Sequence, residues 1–265
     1  MKTEQTGTAR SVAALNLAVL LFGLAAVIGR FVQAPSVVIA GGRVICSAAV
    51  LLALSLLSRT PLRLANKRDL GLAVFVGLVL ALHWTTFFRA IQVSSVAMGT
   101  ITFSAFPLFL TVLEPLVFRE RLRLEGVLEA IALLAGVMIT LPPDGLGSGA
   151  AAGAAWGMLS GLAYAVLSLA NRHLSVRYPA QVVCLYEQGT AAVALLPAVL
   201  LWRGEWTMVG LCSIGVLGVV SGMETVYGIL YALVLLGEAP TGRELAGGTL
   251  ILGVSFVASL RAGRR

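Results

Sequence analysis

Two charges stand where a charge is costly. Arg43 and Glu187 each interrupt an apolar run, Ser36 to Leu57 and Ala180 to Trp202. A charged side chain at the centre of a bilayer costs at least about 2.5 kcal/mol on insertion scales. Such a cost is tolerated for a substrate or proton site, or for a structural ion pair between the two; Arg43 has the further option of snorkelling. His83-Trp84 sets a titratable ring beside a surface that stacks cations, and its plainer reading is an aromatic anchor at a membrane interface. Trp156, Tyr164, Tyr186 and Tyr227 join apolar bodies to polar tips, which suits either a cavity for an amphipathic solute or ordinary packing. Glu224 lies in another apolar stretch and, at the midplane, must be protonated or paired. Arg43, His83, Trp84, Trp156, Tyr164, Tyr186, Glu187, Glu224 and Tyr227 are therefore the expected substrate-binding set. Glu114, Glu120 and Glu238 fall near helix ends and read as structural.

Other chemistries find no residues to carry them. Cys46, Cys184 and Cys212 lie singly in apolar runs, without metal-ligand spacing. There is no phosphate-binding loop and no nucleophile elbow, so neither catalytic residues nor a cofactor or metal is expected. Of 265 residues, 58% are hydrophobic and 12% charged, against about 25% charged in an ordinary soluble domain. The charges cluster between apolar runs, the layout of an all-α, polytopic helical membrane protein. A net charge of +7 comes from Lys and Arg in loops. It points to orientation in a bilayer, not to nucleic acid, for which there is no basic helix face or stacking platform. The expected partners are a small-molecule solute and the lipid bilayer.

The elements that must position these residues follow from run length, since about 20 apolar residues cross the hydrocarbon layer. Ser11 to Ile28 is a first, uncleaved span and Ser36 to Leu57 a second. Gly71 to Arg123 supplies two more, turning at Gln92 to Ser95, with the His83-Trp84 end towards an interface. Leu124 to Leu141 is the fifth, ended by Pro142-Pro143-Asp144-Gly145. Basic clusters at 59–68, 119–123 and 172–177 alternate with turns at 30–35, 89–95 and 142–149 that carry at most one basic residue each. This alternation places the N-terminus in the cytoplasm, with a bacterial inner membrane as the expected location.

After Gly149 the pattern restarts, with spans at Ala150 to Ala170 and Ala180 to Trp202. Pro35 precedes Arg43 by the same spacing as Pro179 precedes Glu187. Phe118-Arg119-Glu120 followed by Ala135-Gly136-Val137 matches Leu236-Gly237-Glu238 followed by Leu252-Gly253-Val254. Five helices followed by their copies have opposite orientation, which gives an inverted repeat of residues 11–141 and 150–261.

Gly41-Gly42-Arg43, Phe106-Pro107, Arg119-Glu120, Trp156-Gly157, Leu236-Gly237-Glu238-Ala239-Pro240-Thr241 and Gly247-Gly248 resemble the motifs of the drug/metabolite transporter superfamily, of the type built from two EamA repeats. The resemblance implies ten transmembrane helices and a permease that moves small metabolites, such as amino acids or related solutes, often outward and by alternating access. The second copy departs from it. Aligning Gly77 with Gly218 and Glu120 with Glu238 leaves the copy about two dozen residues short, the loss falling in helices 8–9 between Val220 and Met223. Residues 207–237 then form either one long tilted helix or a re-entrant hairpin turning at Ser221-Gly222. The single helix leaves nine spans and puts Arg261, Arg264 and Arg265 outside, against the positive-inside rule. The hairpin keeps the C-terminus inside but needs protein around its turn to satisfy the backbone. The missing segment also makes a non-transporting relic, or a structural membrane protein, the alternative function.

Overall fold

The computed structural model describes residues 27–212 apart from 28, 31, 58, 120–123, 141–148, 206, 208, 209 and 211. Most of the expected first span, nearly all of the shortened join, and Glu120, Glu224 and Tyr227 lie outside the described residues.

Every described element is a helix: α1 Ser36–Leu57, α2 Lys67–Val93, α3 Val96–Phe103, α4 Phe106–Phe118, α5 Leu124–Thr140, α6 Gly149–Ser175 and α7 Ala180–Leu201. Among the described residues, five stretches are long and apolar enough to cross a membrane: α1, α2, α3 with α4, α6, and Val182–Leu201 of α7. The chain is a multi-pass membrane protein. The 17 residues of α5 reach only about 26 Å at helical rise.

Local chemistry sets the helix ends. The carbonyls of Pro35 and Pro179 accept the first amides of α1 and α7, from Val38 and Ile39 and from Val182 and Val183. Proline suits these positions because its fixed φ fits a helix start and its missing N–H is not needed there. Asn66 caps α2 by accepting from the Asp69 amide at 2.7 Å, and Ser95 caps α3 by accepting from the Met98 amide at 3.0 Å. At the other end of α2, the Arg30 guanidinium donates to the Ile91 carbonyl at 2.7 Å, supplying positive charge to the negative end of the helix dipole. Arg119 closes α4 in the left-handed region at φ 56°.

The fourth span is interrupted. α3 ends at Phe103 and α4 begins at Phe106, where Pro107 has no N–H to offer the Phe103 carbonyl. The hydroxyls of Thr100, Thr102 and Ser104 donate back to the carbonyls of Val96, Met98 and Thr100 at 2.7 to 2.9 Å. Polar side chains just before the break are thus satisfied without water, as a membrane interior requires.

α2 and α6 run antiparallel through the centre. Asp69 faces His173, His83 faces Ser160 and Gly153 approaches the Ala90 carbonyl, one register along the whole contact. Gly153, Gly157 and Gly161 form a ridge on α6, where an added Cβ would strike Ser94, Thr102 and the Phe103 carbonyl respectively. Small residues four apart let backbones approach where no hydrophobic force separates protein from lipid. Gly41 does the same for α1 against Leu195 and Val199 of α7, and Gly77 for α2 against Glu187 and Thr190.

Candidate functional site

On α2, residues 83, 84, 87 and 88 share one face, so His83, Trp84, Phe87 and Phe88 all point into the core, each at most 5% exposed. His83-Trp84 therefore does not stand at a helix end as an interface anchor. Ten residues, about 15 Å of helix, separate His83 from the end of α2 at Val93.

Arg43 of α1 reaches this face and is itself buried, at 2% exposure. Its guanidinium carbon lies 3.2 Å from the centroid of the Trp84 ring. A cation over an indole face is attracted by the ring quadrupole, by about 2 kcal/mol or more when both are desolvated. Trp84 meets His83 edge-on with centroids 4.6 Å apart. His83 in turn touches Phe103 of α3 at 5.2 Å and Tyr164 of α6 at 5.3 Å. Phe106 of α4 closes the group against Tyr164 at 5.0 Å. Five helices thus converge on a cation and a box of rings at the break before Pro107.

The imidazole is oriented by Ser160. His83 Nδ1 lies 3.1 Å from the Ser160 carbonyl oxygen and 2.9 Å from its hydroxyl. A carbonyl only accepts, so Nδ1 carries the proton, and in the neutral ring Nε2 is left as an acceptor. The Ser160 hydroxyl donates to the His83 carbonyl at 3.2 Å. Beside this group the Trp84 indole N–H and the Thr85 hydroxyl are buried and make no hydrogen bond among the described residues.

Glu187 is also buried, at 6% exposure, but at another level. It lies seven residues, about 10 Å, from the start of α7, whereas Arg43 lies equally far from the start of α1. Because α1 and α7 run antiparallel, the two charges belong to opposite halves. The ion pair weighed from the sequence is not formed, and among the described residues Glu187 joins no ion pair. Asn171 of α6 stands beside its carboxylate. Glu187 Oε1, Gln188 Oε1 and Asn171 Oδ1 are all buried without a hydrogen-bond donor.

The end carrying the basic clusters is fastened. Asp69, with its side chain only 3% exposed, lies 3.5 Å from both His173 and Arg177. It accepts from the Asn66 amide at 3.1 Å and from the Tyr178 hydroxyl at 2.6 Å. The carboxylate holds the Tyr178 hydroxyl above its usual pKa, because losing the proton would face one anion with another. Tyr178 also accepts the Ala65 amide at 2.9 Å, and Tyr186 donates to the Leu62 carbonyl at 3.0 Å. The 59–66 loop is so tied to the turn between α6 and α7. Glu114 pairs with Arg172 at 2.9 Å, a structural contact between α4 and α6.

Of the expected set, Arg43, His83, Trp84 and Tyr164 come together. Glu187 stands apart from them, and Tyr186 serves the fastened end. Trp156 is 38% exposed and makes no ring contact among the described residues. Ser160, Phe87 and Phe103 were not anticipated. Ser160 lies within the Gly157 to Gly161 stretch that faces α3, which is a signal; Phe103 precedes the Phe106-Pro107 break, which is another. Among the described residues no group of three or more His, Cys, Asp and Glu side chains is placed to hold a metal.

Comparison with protein families matches residues 10–141 to the EamA-like transporter family. Comparison with curated proteins gives no match. A solved chain described as "Crystal structure of protein" shares the fold at a TM-score of 0.65 and 22% identity, over 93% of this chain and 95% of its own.

Proposed function

Residues 10–141 form a domain of the EamA-like transporter family, a family of membrane transporters and not of enzymes, and on that premise we propose that the chain is a permease for small organic metabolites. It binds its solute at the Arg43–Trp84–His83 group and moves it by alternating access, outward across a bacterial inner membrane, with the N-terminus cytoplasmic. The observation that carries this reading is Arg43. A permanently charged guanidinium is buried among rings, at the one place where the described helices include a break between α3 and α4. Broken helices and interior charges mark solute sites in membrane bundles. The rings offer flat apolar walls, Arg43 a positive charge and His83 Nε2 an acceptor. Together they suit an amphipathic solute with a carboxylate, such as an amino acid or a related acid.

Alternating access rests on two opposed repeats of residues 11–141 and 150–261. In support, α1 and α7, the second helix of each copy, both start after a proline, both carry a buried charge seven residues in, and pack against each other across Gly41. The test is flux of a mixture of labelled apolar amino acids from sealed vesicles holding the full chain. Saturable flux above that of protein-free vesicles is expected. Its complete absence would favour the reading as a non-transporting relic, to which the short second copy otherwise points.

A further inference from the structure

Glu187 lies outside the aromatic group and takes no part in the solute site described above. Its surroundings share one property. Glu187 Oε1, Gln188 Oε1 and Asn171 Oδ1 are buried oxygens, and among the described residues none receives a hydrogen bond. Buried acceptors are nearly always satisfied, and an exception calls for an explanation. All three are short of the same thing, a donor.

We propose that Glu187 is a proton-binding site of the transport cycle, beside Asn171 and separate from the solute site at Arg43. A proton from water forms an O–H bond to the carboxylate. The anion becomes a neutral acid, and its hydroxyl is a donor whose hydrogen bond the neighbouring Asn171 Oδ1 can accept. Release of the proton to water restores the anion. A sodium ion fits less well, since hard cations of its kind draw on more oxygens than one carboxylate and two amides present.

Among the described residues few other titratable groups face the site. On α7 Cys184 is one turn before it. From α2 the nearest contact is Gly77, and residues 71–82 carry no titratable side chain. α1 from Val44 to Leu57 holds only Cys46. On α6 Asn171 is neutral, while Arg172 is engaged by Glu114 and His173 by Asp69. Among the described residues, Glu187 is therefore the group whose charge this level of the bundle can change.

The role in transport rests on the permease reading, but proton binding itself is measured without flux. Infrared difference spectra of the full chain in lipid vesicles, between acidic and alkaline buffers, report the carbonyl stretch of a protonated buried carboxyl. The wild type is expected to show a band that comes and goes with pH. Glu187→Gln is expected to lose it with the helical amide bands unchanged, and Glu187→Asp to retain it at a shifted position. A pH-dependent band equally strong in Glu187→Gln would overturn the proposal. So would a carboxylate signal that responds to added sodium at constant pH and not to protons. If the band behaves as expected and no solute ever moves, the permease reading fails while the proton site stands.

Discussion

One end of the α2–α6 contact, at Asp69, and its middle, at His83, are built on opposite rules. Asp69 is fully engaged: the carboxylate meets Asn66, Tyr178, Arg177 and His173, and Tyr178 in turn holds the Ala65 amide. Around His83, α1 lays a buried cation on a ring face of α2, and the Trp84 N–H and Thr85 hydroxyl make no hydrogen bonds among the described residues. A satisfied network fixes a geometry, whereas unsatisfied groups in low dielectric cost energy until something meets them. In the permease proposed above, the fastened end is the closed side and the interior around His83 is the part that meets the solute.

The strongest break in that comparison is Arg43→Ala. It removes the charge proposed to meet the solute carboxylate, and losing a charged hydrogen bond of about 2 kcal/mol corresponds to roughly thirtyfold weaker binding. Arg43→Lys is expected to recover little of it, because an ammonium lacks the planar stack of a guanidinium. Vesicle flux, with circular dichroism to check the helices, measures both. Next comes Gly77→Val. Its Cβ would stand 2.8 Å from the Glu187 carbonyl, backbone that cannot step aside, and overpacking of this kind costs about 1–3 kcal/mol. A lower unfolding temperature in detergent is the expected result.

Tyr178→Phe has a smaller effect, about 1 kcal/mol for one hydrogen bond, with a specific signature. Cysteines placed at 62 and 65 should react faster with a water-soluble maleimide as the loop loosens. Conversely, Asp69→Asn should bring the Tyr178 hydroxyl back down towards its usual pKa, read by ultraviolet titration against Tyr178→Phe. His173 and Arg177 are half-exposed, so removing either alone should cost little, as exposed pairs do. The smallest change is Trp156→Ala, which should leave flux and stability within about 0.5 kcal/mol. An effect as large as that of Arg43→Ala would redraw the site.

What the sequence made legible was whatever depends on run length and local chemistry. The five described spans, the turn at Ser94–Ser95, the Pro107 break and the prolines opening α1 and α7 can each be read from neighbouring residues. The role of His83-Trp84 cannot. An aromatic pair looks the same in sequence whether it anchors an interface or fills a core, and only the arrival of α1 and α6 against α2 decides between them. Arg43 and Glu187 looked like partners because each is the buried charge of its helix. The antiparallel packing of α1 on α7 puts them at different levels, and register between distant helices leaves no local trace. Ser160 was hidden for the same reason: its value lies in facing His83 across 77 residues of chain.

The central claim is that solute binds at the cation and ring group. Flux of labelled apolar amino acids, compared in one vesicle preparation series for wild type, Arg43→Ala and Trp156→Ala, tests it directly. The account predicts saturable flux in the wild type, near-complete loss in Arg43→Ala and wild-type rates in Trp156→Ala. Equal flux in wild type and Arg43→Ala would contradict it.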